Sequence, residues 1–473
     1  MNSDNDQHKN PAMNYISTRG ETAPMGFQDA VLTGLAPDGG LLVPETIPDV
    51  RDRLEAWADL SYQDLSFEVL RLFTDFEDDD LRGIIERAYA TFRVPEIAPV
   101  VEAGPVRILE LFHGPTLAFK DMAMQILANV FEVVLAKRDA QLNILGSTSG
   151  DTGSAAIHGV RGKERIHIFM MHPDGRTSPL QALQMTSVLD SNVHNMAVDG
   201  TFDDCQGIMK SIFRDVSFKE QYTLGAVNSV NWCRVLAQII YYFYAGLKVQ
   251  RETGAKRVRF AVPTGNFGNI LAGFYAAQMG LPVGKLILAT NENDILSRFF
   301  KSRDYSRAGV VATLSPSMDI QAASNFERYL YYRLDRDAAK VATVMRATEA
   351  GEEFDAGIDP YAPHHADVLF TAGSGDTAAT LHRIREWKFY YDYVLDPHTA
   401  VGVHVGMQHL HPDEPMVCLA TAHPAKFPSA IEDAIGEAAV HPVLDALKGG
   451  KTRCVKLGND EVAVRKIIED TVG

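Results

Sequence analysis

Lys120 sits in the run HGPTLAFKD (113–121), directly after Leu117, Ala118 and Phe119. Apolar surroundings disfavour an ammonium ion. A lysine held there loses its proton more readily and becomes a better nucleophile toward an aldehyde. Taken alone, the same run also suits an amphipathic lysine with a packed stem and a solvated head. A second chemistry is offered by PTGNFGN (263–269), which lies between a strand pattern and a helix pattern. Gly265 and Gly268 free the backbone to turn tightly. The loop N–H groups of Gly265, Asn266, Phe267, Gly268 and Asn269, at the start of a helix, favour a phosphate. No Lys-Ser/Thr pair follows these glycines and the spacing is not G-x-G-x-x-G, so neither a P-loop nor a dinucleotide fingerprint is present.

Three further segments carry polar groups at strand or helix ends. GSTSGDTG (146–153) offers Thr148, Ser149, Gly150, Asp151 and Thr152. Its hydroxyls and loop N–H donors suit a carboxylate or phosphate, or simply a well-capped helix start. In NSVNWCR (228–234), Asn228, Ser229 and Asn231 can orient a polar ligand, and Arg234 can bind an anion with two parallel hydrogen bonds. Thr421, in LATAHPAKF (419–427), can turn a hydroxyl toward a ligand from a strand end. His364–His365 and the His409/His411 pair lack carboxylate or cysteine partners, so no metal site is expected.

The elements that must position these residues alternate. VRILELF, LNILGST, IHIFMM and VHNMAV read as strands between helix patterns such as MAMQILANVFEVVLAKRD. The alternation resumes with VRFAVP, the helix NILAGFYAAQMG and the strand KLILAT, and DVLFTAG, DYVLD and MVCLAT read as later strands. Such alternation predicts α/β architecture with largely parallel sheets. Residues 13–100 read as a mostly helical N-terminal domain after a disordered tail at 1–12, and the chain from about 428 reads as helical. The irregular, charged stretch 303–365 is a candidate cover for the site. SGDT occurs at 149–152 and again at 374–377, and both copies are expected to open helices.

The chain has 473 residues, 46% of them hydrophobic and 22% charged, which fits a globular protein of more than one domain. A formal net charge of −16 argues against nucleic acid or an anionic membrane as partner. The four cysteines form no C-x-x-C pair, and no long uncharged apolar run or signal-peptide pattern is present. A cytoplasmic protein is expected.

In order along the chain, these segments resemble the threonine synthase family, within the pyridoxal-phosphate fold that includes tryptophan synthase β. MNYISTRGE (13–21), LAPDGGLLVPE (35–45), ATNENDIL (289–296), SNFERYLY (324–331) and DPHTAVGV (396–403) carry the resemblance with the segments above. It implies fold type II: two open α/β domains, over 101–250 and 251–473, beside the N-terminal domain. It also implies pyridoxal 5'-phosphate with its aldehyde on Lys120, its phosphate on the loop from Gly265 to Asn269, and its pyridine nitrogen at Thr421. Thr148, Ser149, Gly150, Asp151 and Thr152 are implied to grip the substrate carboxylate, and Asn228, Ser229 and Arg234 the substrate phosphate. The implied reaction is that of a carbon–oxygen lyase acting on phosphates: O-phospho-L-homoserine and water give L-threonine and phosphate by γ-elimination and β-addition, in a monomer or homodimer. A phospho-lyase or ammonia-lyase on hydroxyamino acid phosphates, and a non-catalytic relative, are the competing readings. A simple serine/threonine dehydratase fits the STRGE and NENDIL segments less well.

Overall fold

A computed structural model describes residues 13–148, 150–352, 354–358 and 364–473. The tail expected at 1–12 and the loop residue Ser149 lie outside the described residues. Strands β1 (Tyr15–Ser17) and β2 (Leu42–Pro44) pair antiparallel, and β3 (Val100–Ala103) and β4 (Val106–Glu110) form a hairpin. β5 (Leu142–Ser147), β6 (Ile166–Pro173), β7 (Val193–Val198) and β8 (Leu224–Gly225) follow. Then come β9 (Val258–Pro263), β10 (Val283–Thr290), β11 (Phe370–Ser374), β12 (Met416–Ala420) and β13 (Val455–Leu457).

Two larger sheets result. One has the order β13-β7-β6-β5-β8 and is parallel throughout. The other has the order β11-β10-β9-β12-β4-β3, parallel except for the edge strand β3. The ranges 101–250 and 251–473 each contribute to both sheets, because β4 lies beside β12 and β13 lies beside β7. Strands buried on both faces read as near-continuous apolar runs, and LILAT of β10 and MVCLA of β12 are fully buried.

Helices Lys120–Arg138 and Trp232–Thr253 cross the main core. The first buries nearly every side chain from Asp121 to Leu135 and ends at Asp139 in the left-handed conformation (φ 47°), with Lys137 and Arg138 on its last turn to complement the dipole. Among the described residues, no helix is long and apolar enough to cross a membrane.

DYVLD is not a strand. Asp396 ends the run by capping helix Pro397–Met407, accepting from the N–H groups of His398 and Thr399, so the chain turns before it can pair. The segment read as DVLFTAG becomes a strand only from Phe370, since residues His365–Val368 make a short helix. The region from 428 carries helices Pro428–Ile435, Pro442–Asp445 and Glu461–Val472, joined by irregular segments and β13.

Candidate active site

Ligands of open α/β sheets bind beyond the carboxyl ends of the strands. Here Thr148 follows the end of β5 and Asp151 and Thr152 open the next helix, the turn 264–267 leaves β9, and Thr421 and Ala422 leave β12. The run 117–119 lies against 421–423 as a short antiparallel bridge: Phe119 N–H donates to the Thr421 carbonyl at 2.8 Å, and His423 N–H donates to the Leu117 carbonyl at 3.0 Å. Leu117 takes a left-handed φ of 61° to enter it. Lys120, the first residue of its helix, is thereby delivered beside Thr421.

These ends open on one cleft of about 730 Å³, including space open to solvent. Lys120, Asp151, Thr152, Ser229, Arg234, Thr421 and the loop from Gly265 to Asn269 all line it. The cleft thus gathers most of the residues singled out in the sequence. Thr148, Gly150 and Asn228 are not among its lining residues. Thr148 Oγ1 accepts from the N–H groups of Gly150 and Gly153, both at 3.0 Å, and so holds the loop from within. Asn228 Oδ1 accepts from Asn231 N–H at 3.1 Å, and Asn231 caps the helix that carries Arg234. Of the two SGDT copies, the second opens a helix through Asp376, which accepts from Ala379 N–H at 2.7 Å. At the first, helix Asp151–Val160 starts without a side-chain cap from its N-cap Gly150.

Phe267 anchors the glycine loop. Its φ of 64° is left-handed, and its ring is buried among Phe300, Phe326, Tyr329 and Phe370. Gly265 is required by close approach: a Cβ there would stand 2.5 Å from the Ser317 carbonyl oxygen. Asn269 Oδ1 is held by the hydroxyls of Tyr241 (2.6 Å) and Tyr242 (3.0 Å), while its buried Nδ2 has no partner. Asn325 Nδ2 fastens the loop to the opposite wall, donating to the carbonyls of Asn266 (3.2 Å) and Ser229 (3.0 Å).

Charge in the cleft is unevenly satisfied. Lys120 Nζ lies 3.3 Å from Ser317 Oγ and 3.5 Å from Asp151 Oδ2. Burial pushes its ammonium below the ordinary lysine value; Asp151 opposes this, and the charges of Lys426 and Arg234 reinforce it. Burial works against the Asp151 carboxylate, yet the ammonium groups of Lys426 and Lys120 hold it well below the usual carboxylate range. Among the described residues, Arg234 has no such partner. Its Nε and Nη1 are buried and unbonded, and burial pushes its guanidinium down to about 10. A buried cation without a counter-ion is costly unless an anion completes it.

The sequence reading leaves out Ser317, His398, Asn325, Gln238 and Lys426. Ser317 comes from the irregular stretch 303–365, and NEND (291–294) explains its placement. Asn291 Nδ2 and Asn293 Nδ2 donate to Asp319 Oδ1 at 2.7 and 3.1 Å, and Thr313 Oγ1 donates to the same atom at 2.7 Å. This buried knot closes the turn that carries Ser317. His398 Nδ1 meets Asp396 Oδ1 at 2.9 Å, and its Nε2 accepts from Ser317 N–H at 3.3 Å. Both His398 and Lys426 lie in segments already singled out, but which way they face depends on the tertiary fold. Among the described residues, no group of three or more His, Cys, Asp or Glu could hold a metal ion.

Architecture and cleft together place the molecule in the fold type II class of α/β enzymes, the class of tryptophan synthase β. Residues 14–89 match the family model "Threonine synthase N terminus" and residues 399–468 match "Threonine synthase, C-terminal". Threonine synthase of Schizosaccharomyces pombe is 42% identical over 97% of this chain and 98% of its own; a PLP-bound threonine synthase from Brucella melitensis superposes with a TM-score of 0.92 at 42% identity, covering 98% of this chain and 100% of that one. The chain belongs to the threonine synthase family. Threonine synthase from yeast is similar in structure, with a TM-score of 0.91 at 40% identity over 98% of this chain and 99% of the other.

Proposed function

We propose that the chain binds pyridoxal 5'-phosphate at Lys120 and, as a threonine synthase, converts O-phospho-L-homoserine and water to L-threonine and phosphate. The carrying observation is that Lys120 and the glycine loop 265–269 face the same cleft. The donor set fits the cofactor: a buried amine, pushed below the ordinary lysine value, for its aldehyde, and a helix start with an unpartnered Asn269 Nδ2 for its phosphate. When bound, the cofactor supplies a conjugated electron sink for a carbanion next to the amino group of the substrate.

The chain's own residues do the rest. Lys120 would hold the cofactor aldehyde, and its amine, when free, would move protons at the α- and β-carbons of the substrate. Gly265, Asn266, Phe267, Gly268 and Asn269 bind the cofactor phosphate through N–H donors. Thr421 would offer the pyridine nitrogen a neutral hydroxyl rather than a carboxylate. Thr152 and the backbone N–H groups of Asp151 and Thr152, at the start of helix Asp151–Val160, suit the substrate carboxylate. Arg234, with Ser229 beside it, stabilises the leaving phosphate as charge develops on it. A cytoplasmic location accords with four free cysteines.

The test is product analysis. Purified protein with pyridoxal 5'-phosphate and O-phospho-L-homoserine is expected to give threonine and phosphate in equal amounts. A keto acid with ammonia and phosphate would show a phospho-lyase instead, and cofactor colour without turnover would show a binding protein.

A further inference from the structure

Lys426 is a second lysine inside the protein, with a side chain that is 0% exposed. Its three ammonium protons are fully used: Nζ lies 2.9 Å from Asp151 Oδ1, 2.7 Å from the Thr116 carbonyl and 2.8 Å from Gln184 Oε1. It does not line the cleft, so it neither binds substrate nor attacks it. Asp151 Oδ1 also accepts from Gln181 Nε2 at 2.7 Å, which leaves Oδ2 facing Lys120. A carboxylate committed to two lysines and an amide is a poor grip for a second carboxylate.

We propose that Lys426 is a positioning residue for the reaction: its buried ammonium holds Asp151 in place and balances its charge, so that Asp151 and the Ser317 hydroxyl form a resting seat for the free amine of Lys120. The inference rests on the role given to Lys120 above. Facing Asp151 alone, Lys120 would settle as a charged ion pair, and an ammonium cannot take a proton from carbon. Lys426 removes that trap, because Asp151 is already neutralised when Lys120 arrives. The other charged or titratable groups around the seat include Arg234 across the cleft, His398 beside Ser317 (tied to Asp396), Asp121, whose carboxylate is turned toward Thr116, and His158, which meets the Gln184 that holds Lys426.

The experiment compares the full-length wild type with Lys426→Met, Asp151→Asn and the double variant. Two midpoints are read: the acid limb of kcat against pH, and the pH dependence of Lys120 labelling in cofactor-free protein. Labelling uses pyridoxal with borohydride and peptide mass spectrometry. Lys426→Met is expected to move both midpoints to higher pH by about one unit or more, and Asp151→Asn to move them to lower pH. The double variant, with the local charge restored to balance, is expected to return near wild type. If Lys426→Met does not fold, the double variant and Asp151→Asn still test the seat. Unmoved midpoints with Lys120 still labelled would overturn the role of Lys426 alone. Absence of labelling at Lys120 in the wild type would remove the lysine assignment and this proposal together.

Discussion

The backbone N–H of Phe119 donates to the carbonyl of Thr421 at 2.8 Å, which ties the residue before Lys120 to the end of a strand from the other half of the sequence. The amine and the hydroxyl proposed for opposite sides of the cofactor ring are therefore set by one bridge of main chain. This bridge survives any change confined to the Thr421 side chain. Thr421→Val is expected to fold and to keep the cofactor, while kcat/KM falls about 10–100-fold for the loss of one hydrogen bond worth ~1–3 kcal/mol. Steady-state kinetics checks this; unchanged activity would remove the hydroxyl from the mechanism.

Arg234 combines a cost and a use. Its guanidinium is buried with Nε and Nη1 unpartnered, so it destabilises the protein until an anion arrives. Arg234→Met is expected to raise the unfolding temperature in phosphate-free buffer and to lose the further rise that inorganic phosphate gives the wild type. KM for the phosphorylated substrate is expected to increase at least about tenfold, since a charge-assisted contact is lost. Thermal unfolding with and without phosphate reads the first effect, and kinetics the second. An equal response to phosphate in both proteins would place the anion elsewhere.

Asp319 tests whether the knot behind Ser317 matters to chemistry as well as to folding. Asp319→Ala removes the shared acceptor of the Asn291 and Asn293 amides and the Thr313 hydroxyl, and takes Oδ2 from the Thr313 N–H. A loss of about 2–3 kcal/mol in stability is expected. At a temperature where the variant remains fully folded, kcat is expected to fall as well, because Ser317 and the glycine loop it touches lose their support. Loss of stability with kcat intact would make the knot purely structural.

His158 links acid stability to the same region. It is half-buried on helix Asp151–Val160, where its Nε2 meets the Gln184 carbonyl at 3.3 Å, and Gln184 in turn holds Lys426. Burial, with help from Arg161, lowers its pKa from 6.5 to about 4. The unfolded chain thus binds more protons than the fold between these values, so the contribution is complete above pH 6.5 and lost as pH falls toward 4. His158→Gln is expected to flatten the decline of unfolding free energy in that window by about one proton. Urea unfolding at several pH values measures the slope; equal slopes would contradict the burial of a neutral imidazole.

The residues legible in the sequence are those whose task is local. Gly265 and Gly268 announce a tight turn by type, and Lys120 and Thr421 stand at element ends within apolar runs. Strand periodicity also finds the parallel sheets. What stays hidden depends on contacts between distant segments. Asp151 reads as part of a ligand loop until Lys426 is seen bound to it, and Ser317 lies in a stretch without periodicity, positioned by side-chain bonds to NEND. DYVLD has the composition of a strand, but Asp396 spends its carboxylate capping the next helix. Each sheet draws strands from both sides of the expected domain limit, because β4 and β13 find partners far along the chain.

The claim that Lys120 carries the cofactor is tested most directly by fixing the cofactor in place. The purified protein is saturated with pyridoxal 5'-phosphate, reduced with borohydride, digested and mapped by mass spectrometry. The phosphopyridoxyl group is expected on the peptide containing Lys120, at about one per chain. Its appearance on Lys426 or any other lysine, with Lys120 unmodified, would contradict the account.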